Sequence, residues 1–285
     1  VDDSADATVA LAPKLAARLD VPVRNGGALN LRASAGRGFR LPSFEERFLR
    51  FDHSELGYIV EGNSALLPES STGVRAEVGY VDDDIVPVEV IGAAVDVPVD
   101  VGVEFGANLI DNLITEASDG ASADGIPVFT YKNAARAWTA AVTTRARVGP
   151  VAVSDLAFRV DATWQYLLNA VDASACPDDD PFLCPQATSL PLRPAHSVDV
   201  TGRVTLVPTG SVLFVRTDAL SERPLITETA PGAVVFSFGV RQPITIASQE
   251  HAELVVAVEN VFDAGDPVFG PKPGRHLTFN LRVWQ

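Results

Sequence analysis

The sequence predicts an all-β chain of about eleven antiparallel strands, arranged as the wall of a transmembrane β-barrel. Three observations carry that expectation. Apolar and polar residues alternate with a period of two along nearly the whole chain, as in strands with one apolar and one polar face. Short turns alternate with long polar loops, which is the asymmetry of an outer-membrane barrel. Aromatic residues close the apolar stripe of the clearest strand, at the depth where a membrane barrel carries its interfacial girdle.

The strands are legible in order. In residues 11–23, Leu15, Ala17 and Leu19 oppose Lys14, Arg18 and Asp20; in residues 29–35, Leu29, Leu31, Ala33 and Ala35 oppose Asn30, Arg32 and Ser34. Asn25-Gly26-Gly27 between them is a hairpin turn. Residues 36–71 then lose the alternation, with helical spacing only around residues 44–51. Residues 72–80 form the next strand, followed by Asp82-Asp83-Asp84. Residues 86–98 are apolar and β-branched but carry Pro87 and Pro98, which fits either a strand extension or a long turn. Residues 99–108 are a strand and residues 118–125 a polar tip. Residues 128–148 read as one long strand that Gly149-Pro150 ends.

Residues 156–168 give the cleanest alternation. Leu156, Phe158, Val160, Ala162, Trp164, Tyr166 and Leu168 face one way, with Trp164 and Tyr166 just before a polar loop. Beyond that loop, Ser197, Asp199, Thr201, Arg203 and Thr205 oppose Val198, Val200, Val204 and Leu206. Pro208-Thr209-Gly210 turns the chain into residues 211–217. Strands at 234–243, 251–261 and 276–284 complete the set, and the last places Leu277, Phe279, Leu281 and Val283 opposite His276, Thr278, Asn280 and Arg282. Residues 1–285 read as a single unit with no internal repeat or linker.

Bulk properties narrow the function. The formal net charge of −15 leaves no basic patch to neutralise phosphates, so nucleic acid is excluded as a partner. No run of 18 or more apolar residues exists, so no membrane helix is expected; a barrel strand needs only about ten residues. The opening VDDSADATVALAP has neither the basic nor the apolar region of a signal peptide. Cys176 and Cys184, in CPDDDPFLC, read as a disulfide of an oxidising compartment. Closing so short a loop would stabilise the fold by roughly 2.5 kcal/mol in the chain-entropy model.

Four motifs occur in a fixed order. The stretch 36–71, GRGFRLPSFEERFLRFDHSELGYIVEGNSALLPESS, opens with Gly38, Phe39, Arg40 and Pro42 and closes with Gly62, Asn63, Leu66, Pro68, Glu69 and Ser71. Near the end stand Asn260-Val261-Phe262-Asp263 and Pro273-Gly274-Arg275. In order and spacing these resemble TonB-dependent outer-membrane receptors. The resemblance covers nearly the whole chain and implies the C-terminal half of a 22-stranded barrel, with the plug domain and the first barrel half outside this sequence. It further implies active uptake of a scarce nutrient, such as a ferric siderophore or cobalamin, across the bacterial outer membrane. The implied partners are a plug with the first barrel half on a separate or cleaved chain, the TonB–ExbB–ExbD complex, membrane lipid and a small-molecule substrate.

No enzyme motif is present, and neither a cofactor nor a metal site is expected. Gly36-x-Gly38 lacks the third glycine of a dinucleotide site. Asp52, His53, Glu55 and Tyr58, in the large loop, are the candidate substrate contacts, because carboxylates beside an imidazole suit a cationic or chelate ligand. Arg32, Asp155, Arg159, Asp161, Arg203, Asn280 and Arg282 are expected to face the lumen. Two rival readings stand beside the receptor: a self-closing porin-like diffusion barrel, and a soluble all-β binding protein.

Overall fold

The computed structural model describes residues 11–23, 26–90, 93–133, 136–171, 193–224, 229–246, 249–265 and 274–284. In chain order the elements are β1 (Lys14–Pro22), β2 (Ala28–Arg40), a short helix α1 (Phe44–Phe48), β3 (Arg50–His53), a 3-10 turn (Ser54–Leu56) and β4 (Tyr58–Glu61). Next come β5 (Glu69–Val90), β6 (Ala93–Asp111), β7 (Ile114–Ala121), β8 (Pro127–Asn133), β9 (Arg136–Val153) and β10 (Leu156–Val171). The remainder are β11 (His196–Leu206), β12 (Ser211–Leu220), β13 (Arg223–Pro224), β14 (Thr229–Ala230), β15 (Ala233–Ile246), β16 (Gln249–Glu259) and β17 (His276–Val283).

Eleven strands make one antiparallel sheet in the order β1-β2-β5-β6-β9-β10-β11-β12-β15-β16-β17. Apart from the elements inserted in loops, this is a simple meander, which matches the eleven strands expected from the alternation. Among the described residues the outermost strands, β1 and β17, pair on one side only, so the sheet is an open wall. No helix is long and apolar enough to cross a membrane.

The two faces are inverted relative to a soluble protein. Register pairs Val103 with Val78 and Thr144, and Leu213 with Val204 and Val240, so apolar residues of neighbouring strands share one face. That face stays open: Val103 is 49% exposed, Leu213 50% and Phe279 69%. The opposite face carries Arg, Asp and Glu. A soluble sheet would bury its apolar face against a second layer. Here no large side chain of the described residues is fully buried. An apolar face this broad suits lipid and not water.

All the long loops leave one rim. They join β2 to β5, β6 to β9, β10 to β11, β12 to β15 and β16 to β17, while the turns at 154–155 and 207–210 lie at the other rim. The hairpin of β5 and β6 extends past that second rim. β2 ends against Val81 at Ala28, yet β5 and β6 continue to pair through Val86↔Val97 and Val90↔Ala93.

Two expectations change, and one open reading resolves. Residues 86–90 and 93–98 follow the strand-extension reading, because a register shift between Asp82 and Val86 sets Pro98 opposite an irregular segment that asks for no ladder N–H. Residues 128–148 are two strands, β8 and β9, in different sheets. Asn133 forces that corner: its side chain donates to the Leu67 carbonyl at 3.0 Å and the Asn112 carbonyl at 2.9 Å, and accepts from Leu67 N at 2.8 Å. Gly149-Pro150 is a bulge and not the turn. Phe158 pairs with Val151 and Val160 with Val148, so Gly149 and Pro150 together oppose Arg159, and β9 runs on to Val153. Gly149 has φ +94°, which glycine alone adopts freely. The expected Cys176–Cys184 disulfide lies outside the described residues and gains no support from the structure.

The face assignment is testable in the membrane-assembled protein. Val103→Arg, on the apolar face, should cost about 2–4 kcal/mol of folding stability, whereas Ala141→Lys on the polar face should cost about 0.5 kcal/mol. Denaturant titration in lipid vesicles measures both, and equal costs would reject the assignment.

Candidate functional site

Two loops on the long-loop rim fold into a sheet of their own. β3 and β4, from the loop between β2 and β5, pair antiparallel; β7 and β8, from the loop between β6 and β9, do the same. β4 and β8 then pair in parallel through Ile59↔Val128, Val60↔Phe129 and Glu61↔Thr130, giving the order β3-β4-β8-β7. The Thr130 hydroxyl donates to the Glu61 carbonyl at 2.9 Å, and the Asn63 amide donates to the Tyr131 carbonyl at 2.9 Å.

The base of this unit is an arginine clamp. Arg40, at the end of β2, donates from Nε and Nη2 to both oxygens of Glu69 (2.7 and 3.0 Å) and from Nη1 to Glu46 at 2.9 Å. Glu46 also closes a capping box on α1, accepting from Ser43 N at 2.7 Å while its own N–H donates to Ser43 Oγ at 3.1 Å. Glu69 Oε1 accepts from Ile114 N at 2.6 Å, tying the second loop to the first. Gly62 is required by a close approach, since a Cβ there would lie 2.6 Å from Phe48 N. The first two motifs of the sequence are therefore the parts of one joint. Partial burial alone would raise the Glu46 carboxyl; hydrogen bonds from Ser43 and Arg40 outweigh it and hold the group below its ordinary range.

The last two motifs form a second joint. Asn260 accepts from Ala264 N at 2.8 Å and donates to the Ala264 carbonyl at 3.0 Å, while Asp263 accepts from Arg275 N at 2.9 Å. Asn260 and Asp263 both take positive φ, at 52° and 55°.

At the apex of the loop sheet the predicted contacts divide. His53 pairs with Tyr58 across β3 and β4, with ring centroids 5.2 Å apart, and Phe51 stacks on His53 at 6.0 Å with planes 5° apart. Asp52 falls on the other face by strand alternation, and Glu55 is exposed in the 3-10 turn. Hydrogen bonds from Ser54, including Ser54 N at 3.1 Å, hold the Asp52 carboxyl below its ordinary range. Phe51 completes the aromatic face. The sequence signalled it by its two-residue spacing from His53.

The polar face of the wall carries the second group. Asp161 meets Arg147 at 2.9 Å, Arg159 at 2.8 Å and also Arg203, so three guanidiniums converge on one carboxylate. Arg32 lies 3.7 Å from Glu77, which also binds Arg145. Arg282 lies 4.0 Å from Glu253, and Asn280 lines a cavity of about 650 Å³ with Arg216, Ser237 and His276. Asp155 stands apart, in the turn at 154–155. Sequence reading missed Arg145, Arg147 and Glu77, although all three sit at polar positions of the alternation. Among the described residues no three His, Cys, Asp or Glu side chains form a group able to hold a metal.

Arg40→Met should lower the local opening free energy of residues 43–63 by about 1–2 kcal/mol, with protection of the wall strands unchanged. Arg40→Lys should recover less than half of it, because an ammonium cannot bridge two carboxylates in the same fork. Hydrogen exchange reads both. Because the folded Glu46 carboxyl titrates lower than the unfolded one, its contribution is complete above the unfolded range. Protection should hold above pH about 5 and fall as pH drops through about 4 and lower. Constant protection across that window would reject the clamp.

No protein-family profile matches the sequence, and no curated protein does. Solved structures match throughout the chain. A mutant of the ferric enterobactin receptor PfeA from Pseudomonas aeruginosa aligns with TM-score 0.61 and 13% identity, over 95% of this chain and 40% of that one. The copper transporter OprC aligns with TM-score 0.61 and 14% identity, over 93% and 38%. The outer membrane transporter YddB from Escherichia coli aligns with TM-score 0.59 and 10% identity, over 90% and 38%. The chain thus spans about two fifths of the length of these structures, which are receptors and transporters and not enzymes. At such identities the likeness is one of fold: the chain has the fold of the TonB-dependent outer-membrane receptor barrels that its loop motifs resemble, as an eleven-strand stretch of their wall.

Proposed function

We propose that this chain forms part of the wall and the outer loops of a receptor that takes up a scarce nutrient by TonB-coupled transport. The observation that carries the reading is the loop sheet, in which motif residues Arg40, Gly62, Asn63 and Glu69 hold two loops as one unit above the lumen. A pore for passive diffusion needs no such unit. The solved neighbours supply the candidate ligands, since their names include a ferric enterobactin receptor and a copper transporter.

In this scheme Phe51, His53 and Tyr58 present an aromatic face to the substrate, with Asp52 and Glu55 as the carboxylates beside it. Arg32, Arg159, Asp161, Arg203, Asn280 and Arg282 line the lumen and contact a plug. The strands missing between β17 and β1, and the plug, come from further polypeptide, on this chain or another. Energy comes from TonB–ExbB–ExbD acting on the plug. Of the rivals, the self-closing barrel is disfavoured by the single-sided pairing of β1 and β17 among the described residues, and the soluble protein by the uncovered apolar face.

The test uses the whole receptor in cells starved in turn of iron, copper and cobalamin. Uptake of one labelled nutrient should require both the receptor and the proton-motive force. Phe51→Ala with Tyr58→Ala should weaken binding of that nutrient by about tenfold, the loss of one to two aromatic contacts. Solute flux that persists without an energy source would replace this reading with the diffusion barrel.

A further inference from the structure

The β5–β6 hairpin has a part that neither the wall nor the loop sheet uses. β9 leaves β6 at the Gly149-Pro150 bulge, where the last pair between them is Val99↔Val148, and the last pair between β2 and β5 is Ala28↔Val81. Beyond those pairs, residues 86–90 and 93–97 pair only with each other among the described residues, so β6 keeps an open outer edge over residues 93–97. No proline interrupts that edge, and each of its residues retains a backbone N–H. At about 3.3 Å per residue the free part reaches roughly 15–20 Å past the neighbouring strands. The register gives this ribbon two unlike faces. Val86, Val88 and Val90 share one with Val97, Val95 and Ala93, and it continues the apolar face of β6 into Val99 and Val101. Pro87, Glu89, Ala94 and Asp96 share the other. Residues 83–98 include Asp83, Asp84, Glu89 and Asp96 but no Lys, Arg or His. β6 runs for 19 residues where a membrane strand needs about 9–11, so its apolar stripe outlasts the lipid.

We propose that the open edge of β6 at residues 93–97 takes up an extended basic segment of another protein, lying where β9 would continue. The inference rests on the barrel reading, which turns the short-turn rim to the periplasm, and not on any transported substrate. Three features choose the partner. Unpaired N–H and C=O groups along a strand edge accept a further strand by backbone hydrogen bonding. Alternation then sets every second residue of that strand on the valine face and the rest on the face of Glu89 and Asp96. The fitting segment therefore alternates apolar residues with Lys or Arg. A second copy of the hairpin is a poor occupant, because pairing two such ribbons would bring carboxylates against carboxylates.

The test uses the detergent-purified receptor and three labelled ten-residue peptides: alternating Val and Lys, the same residues in two blocks, and alternating Val and Glu. Fluorescence anisotropy reads binding, and hydrogen exchange reads its place. The alternating Val–Lys peptide should bind about tenfold tighter than either of the others, weaken with added salt, and slow amide exchange within residues 93–97. Replacing residues 84–97 by Asn-Gly, with barrel structure checked by heat-modifiable migration, should abolish binding. If that shortened hairpin fails to fold, Glu89→Lys with Asp96→Lys takes its place. The double variant should cost the Val–Lys peptide about tenfold and let the Val–Glu peptide bind. Equal binding of the block and alternating peptides would reduce the site to charge alone and overturn the proposal. Binding that survives loss of the hairpin, or protection that falls outside residues 93–97, would overturn it as well. Peptide binding by a receptor that takes up no nutrient would count against the transport reading alone.

Discussion

Backbone hydrogen bonding in a medium without water governs this structure. Lipid offers no partner to an exposed N–H or C=O, at a cost of several kcal/mol for each, so a membrane wall must satisfy every such group within itself. An antiparallel meander does so with neighbours that are also consecutive in sequence, which explains the strand order. The same requirement leaves the outer edges of β1 and β17 as the open hydrogen-bonding edges of the described sheet. It also explains where irregularity is found. The bulge at Gly149 and Pro150 and the register shift after Asp82 both lie at the short-turn rim, where water can solvate an unpaired group.

Once the backbone is paired, side chains have two faces to fill, and the polar face does so with crossed charges. Arg147 and Asp161 sit opposite each other on β9 and β10, with Asp100 of β6 on the far side of Arg147. Arg216 on β12 lies between Asp199 of the neighbouring β11 and Asp218 of its own strand. Pairs this exposed contribute little stability individually. Their effect is positional: long side chains are held against the wall in a chosen order, and the polar face keeps a patterned surface of both signs. Any polypeptide packed on that face must carry complementary groups at matching heights.

The alternation of apolar and polar residues made the wall legible, because a period of two survives wherever one face meets lipid and the other water. Residues 156–168 and 276–284 needed nothing more. The loop sheet was harder to see. Residues 128–148 keep alternating across the boundary between β8 and β9, so the pattern cannot reveal that Asn133 hands the chain from one sheet to another. What decides it is contacts with Leu67 and Asn112, distant in sequence. The apex shows the same limit from the other side. Asp52, His53, Glu55 and Tyr58 are neighbours in sequence, but alternation along β3 divides Asp52 from His53 and brings Phe51 to His53 instead. Asp155 was given a wall position by parity alone, and the turn at 154–155 removed it.

The parallel pairing of β4 with β8 changes what the loops can do. A free loop of the length of residues 41–68 would sample many shapes, and a ligand binding to it would meet the full ordering cost. Here much of that cost is met during folding. Arg40 fixes the base through Glu46 and Glu69, Glu69 reaches Ile114 in the second loop, and backbone ladders join the two above it. Parallel pairing also sends both apices, at 54–57 and 122–126, to the same end of the sheet. A ligand that touches either apex therefore acts on one body with two attachments to the wall. The Arg40 clamp holds the first of these attachments, and Glu69 extends it to the second loop through Ile114.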